Sequence, residues 1–78
     1  MARVTVLYFA GLREQRGEQE EVEIESGLSA GALYTRLFPP GPDGSLPVAF
    51  SVNADWANAD TVLTDGDELA LLPPLGGG

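Results

Sequence analysis

The stretch RVTVLYF, Arg3–Phe9, decides the fold, because its β-branched and aromatic side chains predict a strand close to the start of the chain. Successive side chains of a strand point to opposite faces of a sheet. One face is apolar and aromatic and is expected to face the core; its residues are Val4, Val6 and Tyr8. Polar Arg3 and Thr5 mark the other face as outward. Leu7 and Phe9 share that outward face, so two large apolar side chains point away from the predicted core.

The segment after this strand predicts a wide hairpin. Residues AGLREQRG, Ala10–Gly17, are expected to form a short helical turn that ends at Gly17, since glycine favours the end of a helix. The following EQEEVEIE, Glu18–Glu25, alternates acidic and apolar residues, which is typical of a half-buried strand. Val22 and Ile24 are expected to point inward while the alternate glutamates face water, and the two strands are expected to pair.

One substantial helix is predicted over LSAGALYTRLF, Leu28–Phe38. Ser29 is a suitable N-cap, because its hydroxyl can accept a hydrogen bond from a free N–H of the first turn. Three apolar residues at helical spacing form the expected core stripe: Ala30, Leu33 and Leu37. Gly31 weakens the helix by about 1 kcal/mol relative to alanine, so tertiary packing must hold the helix in place. Pro39–Pro47 is rich in proline and glycine and is predicted to be a loop.

Two short strands are predicted next. VAFSV, Val48–Val52, alternates again, and its inward residues are Val48, Phe50 and Val52. The segment Asn53–Asp67 is rich in turn-forming residues, with a very short strand near Trp56. We interpret Trp56 as a partial plug of the core rather than a stacking platform, since tryptophan is rarely left without packing partners.

The last strand is predicted over ELALL, Glu68–Leu72, directly after the tight turn Thr64–Asp67. If Glu68 faces water, parity divides the rest of this strand, with Leu69 and Leu71 inward and Ala70 and Leu72 outward. One helix packed across a small mixed sheet suits this order of elements. The expected fold class is α+β: a β-grasp, ubiquitin-like roll with about five strands. Residues 1–72 are expected to form this domain, and residues 73–78 a flexible C-terminal Gly-Gly tail.

The composition excludes several kinds of site. The chain has no cysteine, histidine or lysine, and its four positive charges are all arginines. Thiol nucleophiles, cysteine-ligated zinc, histidine bases and Schiff-base lysines are therefore ruled out. The net charge of −8 disfavours nucleic acid and anionic membranes as partners and favours a protein with a basic surface. Acidity that serves solubility alone is the alternative. With no apolar span or signal pattern, we expect a cytoplasmic protein.

Two acidic groups suggest chemistry only weakly. Asp65–Glu68 resembles part of a calcium loop but lacks the other ligands, which favours a structural turn. Glu20 and Glu21 are adjacent carboxylates, yet their place on an alternating strand favours a solvated edge that resists pairing with other sheets. No group of residues forms a recognisable active site, so the chain is not expected to be catalytic alone.

The outward apolar residues of the first and last strands form a candidate binding surface. Leu7, Phe9 and Leu72 would cluster into one patch if those two strands pair at the centre of the sheet. Isolated surface hydrophobes are common and carry no function, and that alternative is favoured for Leu7 taken alone. Phe9 and Leu72 together favour a partner surface, because an exposed aromatic residue is an effective anchor.

The chain ends LLPPLGGG, Leu71–Gly78. Glycine-rich ends commonly fray, so composition alone favours a passive tail. Against this, the Pro73-Pro74 pair stiffens the exit from the last strand. The terminal Gly77-Gly78 pair has no Cβ atoms and can therefore enter a narrow enzyme channel.

Three parts of the chain resemble the MoaD family, the small subunits of molybdopterin synthase, which are related to the thiamine sulfur carrier ThiS and to ubiquitin. They are YFAGLRE (Tyr8–Glu14), TDGDELALLPP (Thr64–Pro74) and the final Gly77-Gly78. The resemblance covers nearly the whole chain in length and element order, and it is weak only through Pro39–Asn58. Families of this type often carry threonine or alanine where this chain has Gly76, a departure that should only loosen the tail.

The resemblance implies a carrier mechanism centred on Gly78. A ubiquitin-activating-type adenylating enzyme would use ATP to convert the Gly78 carboxylate into an acyl-adenylate, and a sulfur donor would displace AMP to leave a thiocarboxylate. The tail, made slim by Gly77, would then enter the large synthase subunit and donate sulfur to cyclic pyranopterin monophosphate. No cofactor is bound in this scheme, because the sulfur is carried covalently.

The resemblance also implies a docking surface for the large subunit and the activating enzyme. Its residues are Phe9, Leu72, Leu7, Pro73, Pro74, Leu75 and Gly76. Glu68 and Arg13 are rim contacts in this interpretation and solvated surface charges in the alternative. A dimeric large subunit with two carriers would make a heterotetramer. A carrier for thiamine, tRNA thiolation or an amino-acid sulfur pathway, a ubiquitin-like protein modifier, and a domain with a passive tail are the competing hypotheses.

Overall fold

The structure, a computed structural model, describes residues 1–44 and 46–74, and its strands form one mixed sheet. The strands are β1 (Ala2–Tyr8), β2 (Gln19–Ile24), β3 (Ala49–Val52), β4 (Asp55–Ala57) and β5 (Glu68–Leu72). Their order across the sheet is β2-β1-β5-β3-β4. β1 and β5 pair in parallel at the centre, and all other neighbours pair antiparallel. The predicted α+β class and the mixed sheet of five strands are confirmed.

Two helices connect the strands. α1 (Ala10–Arg16) fills the wide hairpin and ends at Gly17, whose φ of 92° suits glycine and whose N–H donates to the Arg13 carbonyl at 2.8 Å. α2 (Ala30–Leu37) begins at Ser29, whose hydroxyl accepts from the Ala32 N–H at 3.2 Å, as predicted. α1 is a full helix rather than the expected single turn. Neither helix is long or apolar enough to cross a membrane.

The core lies between α2 and the inner face of the sheet. Its largest fully buried side chains are at most 1% exposed: Val4, Val6, Tyr8, Ile24, Leu33, Leu63, Leu69 and Leu71. The alternation predicted for the first and last strands is therefore confirmed. Leu63, in the turn-rich segment before β5, is a core residue that the sequence pattern did not identify. The rings of Tyr34 and Phe50, with centroids 6.1 Å apart, join α2 to β3.

The acidic turn before β5 is a structural turn, as predicted. The Asp67 carboxylate accepts from the Thr64 N–H at 2.8 Å and from the Asn53 side-chain amide at 2.9 Å. These hydrogen bonds lower the pKa of Asp67, and the one from the Thr64 backbone has the largest effect. Asp65 accepts from the Arg3 N–H at 2.8 Å. Within residues 1–44 and 46–74, no cluster of three potential metal ligands is present.

Gly31, at the start of α2, lies against the segment before β5. Its N–H donates to the Ala59 carbonyl at 2.9 Å, and the Ala30 N–H donates to the Thr61 carbonyl at 2.8 Å. These carbonyls satisfy N–H groups that the first turn of a helix leaves free. A Cβ added at Gly31 would lie 2.7 Å from the Ala59 Cβ. The glycine that weakens the helix is therefore required by its packing.

Replacing Gly31 with alanine is predicted to destabilise the fold by about 1–3 kcal/mol, because the overlap with Ala59 outweighs the gain in helix propensity. Chemical denaturation measures the free energy of unfolding. Gly11→Ala in α1 is the matched control, since nothing lies within 4 Å of its added Cβ. That change should be neutral or stabilising by up to about 1 kcal/mol. Equal effects of the two substitutions would contradict the packing explanation.

Candidate docking site at the end of the last strand

The outer face of the sheet, opposite α2, carries a groove where β5 ends. Its volume is about 600 Å³. We call it the apolar groove, because all of its lining residues are apolar: Phe9, Pro47, Val48, Ala49, Trp56, Leu72, Pro73 and Pro74. The last two of these residues are also the last that the structure describes.

The strand register explains why these side chains meet. One row across the outer face, running through β1, β5, β3 and β4, consists of Leu7, Ala70, Ser51 and Trp56. In the next row Leu72 lies opposite Ala49, and Phe9 directly follows the pair formed by Tyr8 and Leu71. Two small side chains, Ala70 and Ser51, therefore lie between Leu7 and Trp56 in the first row. Ala70 lies on the predicted outward face but is only 9% exposed, because β5 has a neighbouring strand on each side.

The structure brings most of the described candidate residues together. Phe9, Leu72, Pro73 and Pro74 all line the apolar groove. Leu7 lies on the same face, beside Ala70, but does not line the groove. Four further candidates, Leu75, Gly76, Gly77 and Gly78, lie outside the described residues.

Trp56 corrects the sequence analysis, which placed its ring partly in the core. The side chain is 77% exposed, because Trp56 pairs with Ser51 and so lies on the outer face of an edge strand. Its position follows from the tight turn between β3 and β4. Asn53 and Ala54 have φ values of 52° and 71°, and this two-residue connection fixes which residues pair. With this turn Trp56 pairs with Ser51, an outward residue of β3, so the alternation of β3 predicts that Trp56 lies on the surface.

Arg13 stands beside the apolar groove. Its guanidinium carbon lies 5.7 Å from the centre of the Phe9 ring, a cation–π distance, and its Nε donates to the Tyr8 carbonyl at 3.4 Å. Among the residues that the structure describes, Arg3, Arg16 and Arg36 each have a carboxylate within 4.0 Å, whereas Arg13 has none. Within residues 1–44 and 46–74, Arg13 is therefore a positive charge beside the groove without a carboxylate partner, in a strongly acidic chain.

Glu68, the other predicted rim residue, lies at the far end of β5. It pairs with Thr5, four residues before Leu72, which corresponds to about 13 Å along the strand. Its N–H donates to the Asn53 side chain at 2.9 Å. The geometry therefore places Arg13, but not Glu68, at the groove.

Glu20 also differs from the prediction of a solvated edge residue. It lies opposite Val6, on the inner face, and one of its oxygens accepts from the Tyr8 hydroxyl at 2.5 Å and from the Arg16 Nε at 2.6 Å. The hydrogen bond from Arg16, followed by that from Tyr8, lowers the pKa of Glu20. Burial raises the pKa of Tyr8, and the hydrogen bond to Glu20 raises it by a smaller amount. Glu21 is exposed as predicted, 3.8 Å from Arg3.

Comparison with known proteins gives matches along the whole chain. The model of the ThiS family matches residues 6–78. A molybdopterin synthase sulfur carrier subunit of Mycobacterium tuberculosis is 41% identical over 83 residues, which cover 100% of both chains.

Two solved structures extend this similarity. The small archaeal modifier protein 1 of Haloferax volcanii is 26% identical with a TM-score of 0.80, covering 96% of this chain and 100% of that one. A chain from the complex of subunits 1 and 2 of molybdopterin-converting factor from Helicobacter pylori is 25% identical with a TM-score of 0.63. The match covers 97% of this chain and 99% of that one. The predicted β-grasp fold is confirmed.

Glu20→Gln is predicted to lower stability at neutral pH by about 1 kcal/mol, because it removes the charged partner of Arg16 at a site where water partly screens the pair. The folded pKa of Glu20 lies below its ordinary 4.5. Its stabilising effect is therefore present above that pH and lost as pH falls through the folded pKa. Thermal unfolding between pH 7 and pH 2 should show the two proteins converging at low pH. Glu21→Gln is the control and should follow the wild type; a constant difference for Glu20→Gln would contradict the assignment.

Proposed function

The chain belongs to the ThiS family, and from that premise we propose that it is the sulfur carrier subunit of molybdopterin synthase. The observation that carries the proposal is its full-length similarity, at 41% identity, to a protein of that name. The sulfur would be held as a thiocarboxylate on Gly78, the last residue of the sequence. The proposal places the protein in the cytoplasm, where ATP for activation is at hand.

The chemistry requires activation because a carboxylate is a poor electrophile. An adenylating enzyme would join the Gly78 carboxylate to AMP from ATP, with release of pyrophosphate. A donor that supplies sulfur at the oxidation level of sulfide would then attack the acyl carbon through that sulfur, expel AMP and leave the thiocarboxylate. Sulfur transfer to cyclic pyranopterin monophosphate would build the dithiolene of molybdopterin. The partners supply the catalytic groups, which agrees with a chain that has no histidine, cysteine or lysine.

The apolar groove supports a docking role in this scheme. A partner that covers the groove also receives the tail, because four residues follow Pro74 and span at most about 14 Å when extended. The large synthase subunit is the proposed partner in the transfer step. The H. pylori structure, a complex of subunits 1 and 2, supports this choice. The activating enzyme is proposed to use the same groove at an earlier step, so the two partners would bind one at a time.

A protein modifier is the second candidate function. The similarity to the small archaeal modifier protein 1, with a TM-score of 0.80, favours it. In that role the activated Gly78 would form an amide with a lysine of another protein. The two functions share the activation step and differ in the acceptor, so the product distinguishes them.

Incubation with the cognate activating enzyme, ATP and a sulfur donor is predicted to replace one oxygen of the chain by sulfur, which intact-mass spectrometry detects. Addition of the large subunit and cyclic pyranopterin monophosphate should then yield molybdopterin. A chain lacking Gly78 should fold normally and gain no sulfur. An unchanged mass of the wild-type chain with every component present would refute the carrier proposal, and amide conjugates without molybdopterin would favour the modifier.

Trp56→Ala is predicted to weaken binding to the large subunit roughly thirtyfold, the effect of losing about 2 kcal/mol at an aromatic anchor. The fold should be unaffected, since the side chain is 77% exposed. Val62→Ala is the matched control, because Val62 is 53% exposed and lies outside the groove. Calorimetry measures both affinities. Phe9→Glu should weaken binding further by placing a carboxylate in an apolar contact. Undiminished affinity of both groove variants would exclude the groove as the interface.

A further inference from the structure

We propose that the partner that docks on the apolar groove also adds an extended segment to the free edge of β4, so that the sheet continues from this chain into the partner. The inference rests on the proposed function, because that function makes the large synthase subunit the partner at the groove. It goes beyond that function by naming the backbone groups that the partner binds and the kind of segment that binds them.

The hydrogen bonds of β3 decide which backbone groups of β4 are free. The Asn53 N–H donates to the Glu68 carbonyl at 2.8 Å, so the backbone of Asn53 faces β5. Successive residues of a strand direct their N–H and carbonyl groups to opposite sides. Val52 therefore faces β4, where it pairs with Asp55 across the tight turn. Trp56, the next residue of β4, must then face away from β3, toward the edge of the sheet.

The edge of β4 is open at Trp56. Apart from the sheet pairing, no hydrogen bond reaches the N–H or the carbonyl of this residue within residues 1–44 and 46–74. Asn58, two residues later, is already closed, because its N–H donates to the Thr61 hydroxyl at 3.2 Å and its carbonyl accepts from the Thr61 N–H at 3.1 Å. An antiparallel segment can satisfy both open groups with one residue of its own.

The two edges of the sheet differ in how they would receive another strand. β2 carries the exposed carboxylates of Glu21 and Glu23. Charged side chains on an edge strand discourage its pairing with another chain. At β4 the side chain beside the open backbone groups is the indole of Trp56, which is 77% exposed and lines the apolar groove. The edge beside the groove is therefore the one suited to strand addition.

The surroundings of Trp56 define the segment that fits this edge. The partner residue opposite Trp56 would place its side chain on the outer face, against the indole, where an apolar side chain is favoured. The residues on either side of it would point to the other face, beside the exposed Asp55. A basic residue is favoured there, in agreement with the net charge of −8. The expected segment is extended and carries an apolar residue next to a lysine or arginine.

The experiment uses the full chain, made by chemical synthesis, with an N-methyl group in place of the Trp56 N–H. The indole is kept, so the change removes one outward donor but not the aromatic contact. The matched control carries the N-methyl group at Glu21. Its pairing partner Thr5 donates to the Asp67 carbonyl on the β5 side at 3.0 Å, so the Glu21 N–H points to the free edge of β2. Thermal unfolding checks that both modified chains fold like the wild type.

Binding to the large synthase subunit, measured by calorimetry, is expected to be roughly tenfold weaker for the chain methylated at Trp56 and unchanged for the control. Hydrogen exchange of the Trp56 amide in the wild-type chain, followed by NMR, should slow by roughly tenfold or more in the complex, because a hydrogen-bonded amide exchanges only when the bond opens.

Equal affinities of the wild type and the chain methylated at Trp56 would overturn the inference, as would a Trp56 amide that exchanges equally fast in the free chain and in the complex. A wild-type chain that does not bind the large subunit at all would instead refute the docking proposal, and strand addition with it. The two failures are therefore distinguished by the wild-type affinity.

Discussion

The parallel pairing of β1 with β5 is the contact on which the rest of the structure depends. It joins the first and last strands at the centre of the sheet, with Tyr8 opposite Leu71. Because parallel strands run in the same direction, both continue toward the same end of the sheet. Phe9 and Leu72 therefore become neighbours, and the chain leaves β5 beside them. This one pairing therefore brings together the residues at the end of β1, the end of β5 and the point at which the chain leaves β5.

The alternation of side chains along a strand made much of this arrangement predictable. The inward set of β1, the parity of β5 and the Ser29 cap each depend on residues close in sequence, and each agrees with the structure. The cluster of Phe9 with Leu72 required one further assumption, that the two strands pair. The order of elements favours this pairing. The sequence therefore predicts the part of the groove formed by Phe9 and Leu72, but not the position of Trp56.

The features that were missed depend on register rather than on composition. Trp56 occupies a three-residue strand, too short to show alternation, and its face is fixed by the turn that precedes it. Glu20 points inward because it lies opposite Val6, where the Tyr8 hydroxyl and Arg16 give it partners. Leu63 is buried from a segment without regular structure. For Glu20 and Leu63, contacts with other segments outweigh the local pattern, whereas for Trp56 the turn before the strand sets the face.

The apolar groove affects the tendency of the free protein to self-associate in solution. The side chain of Trp56 is 77% exposed, and it lines the groove together with Phe9, Leu72, Pro73 and Pro74. Two copies of the chain would tend to associate through this apolar surface. The net charge of −8 opposes such encounters, since like-charged molecules repel at short range even at a Debye length of about 8 Å. The same charge attracts a basic partner. The net charge would thus disfavour self-association through the apolar groove. The groove would stay free until a protein of opposite charge binds it.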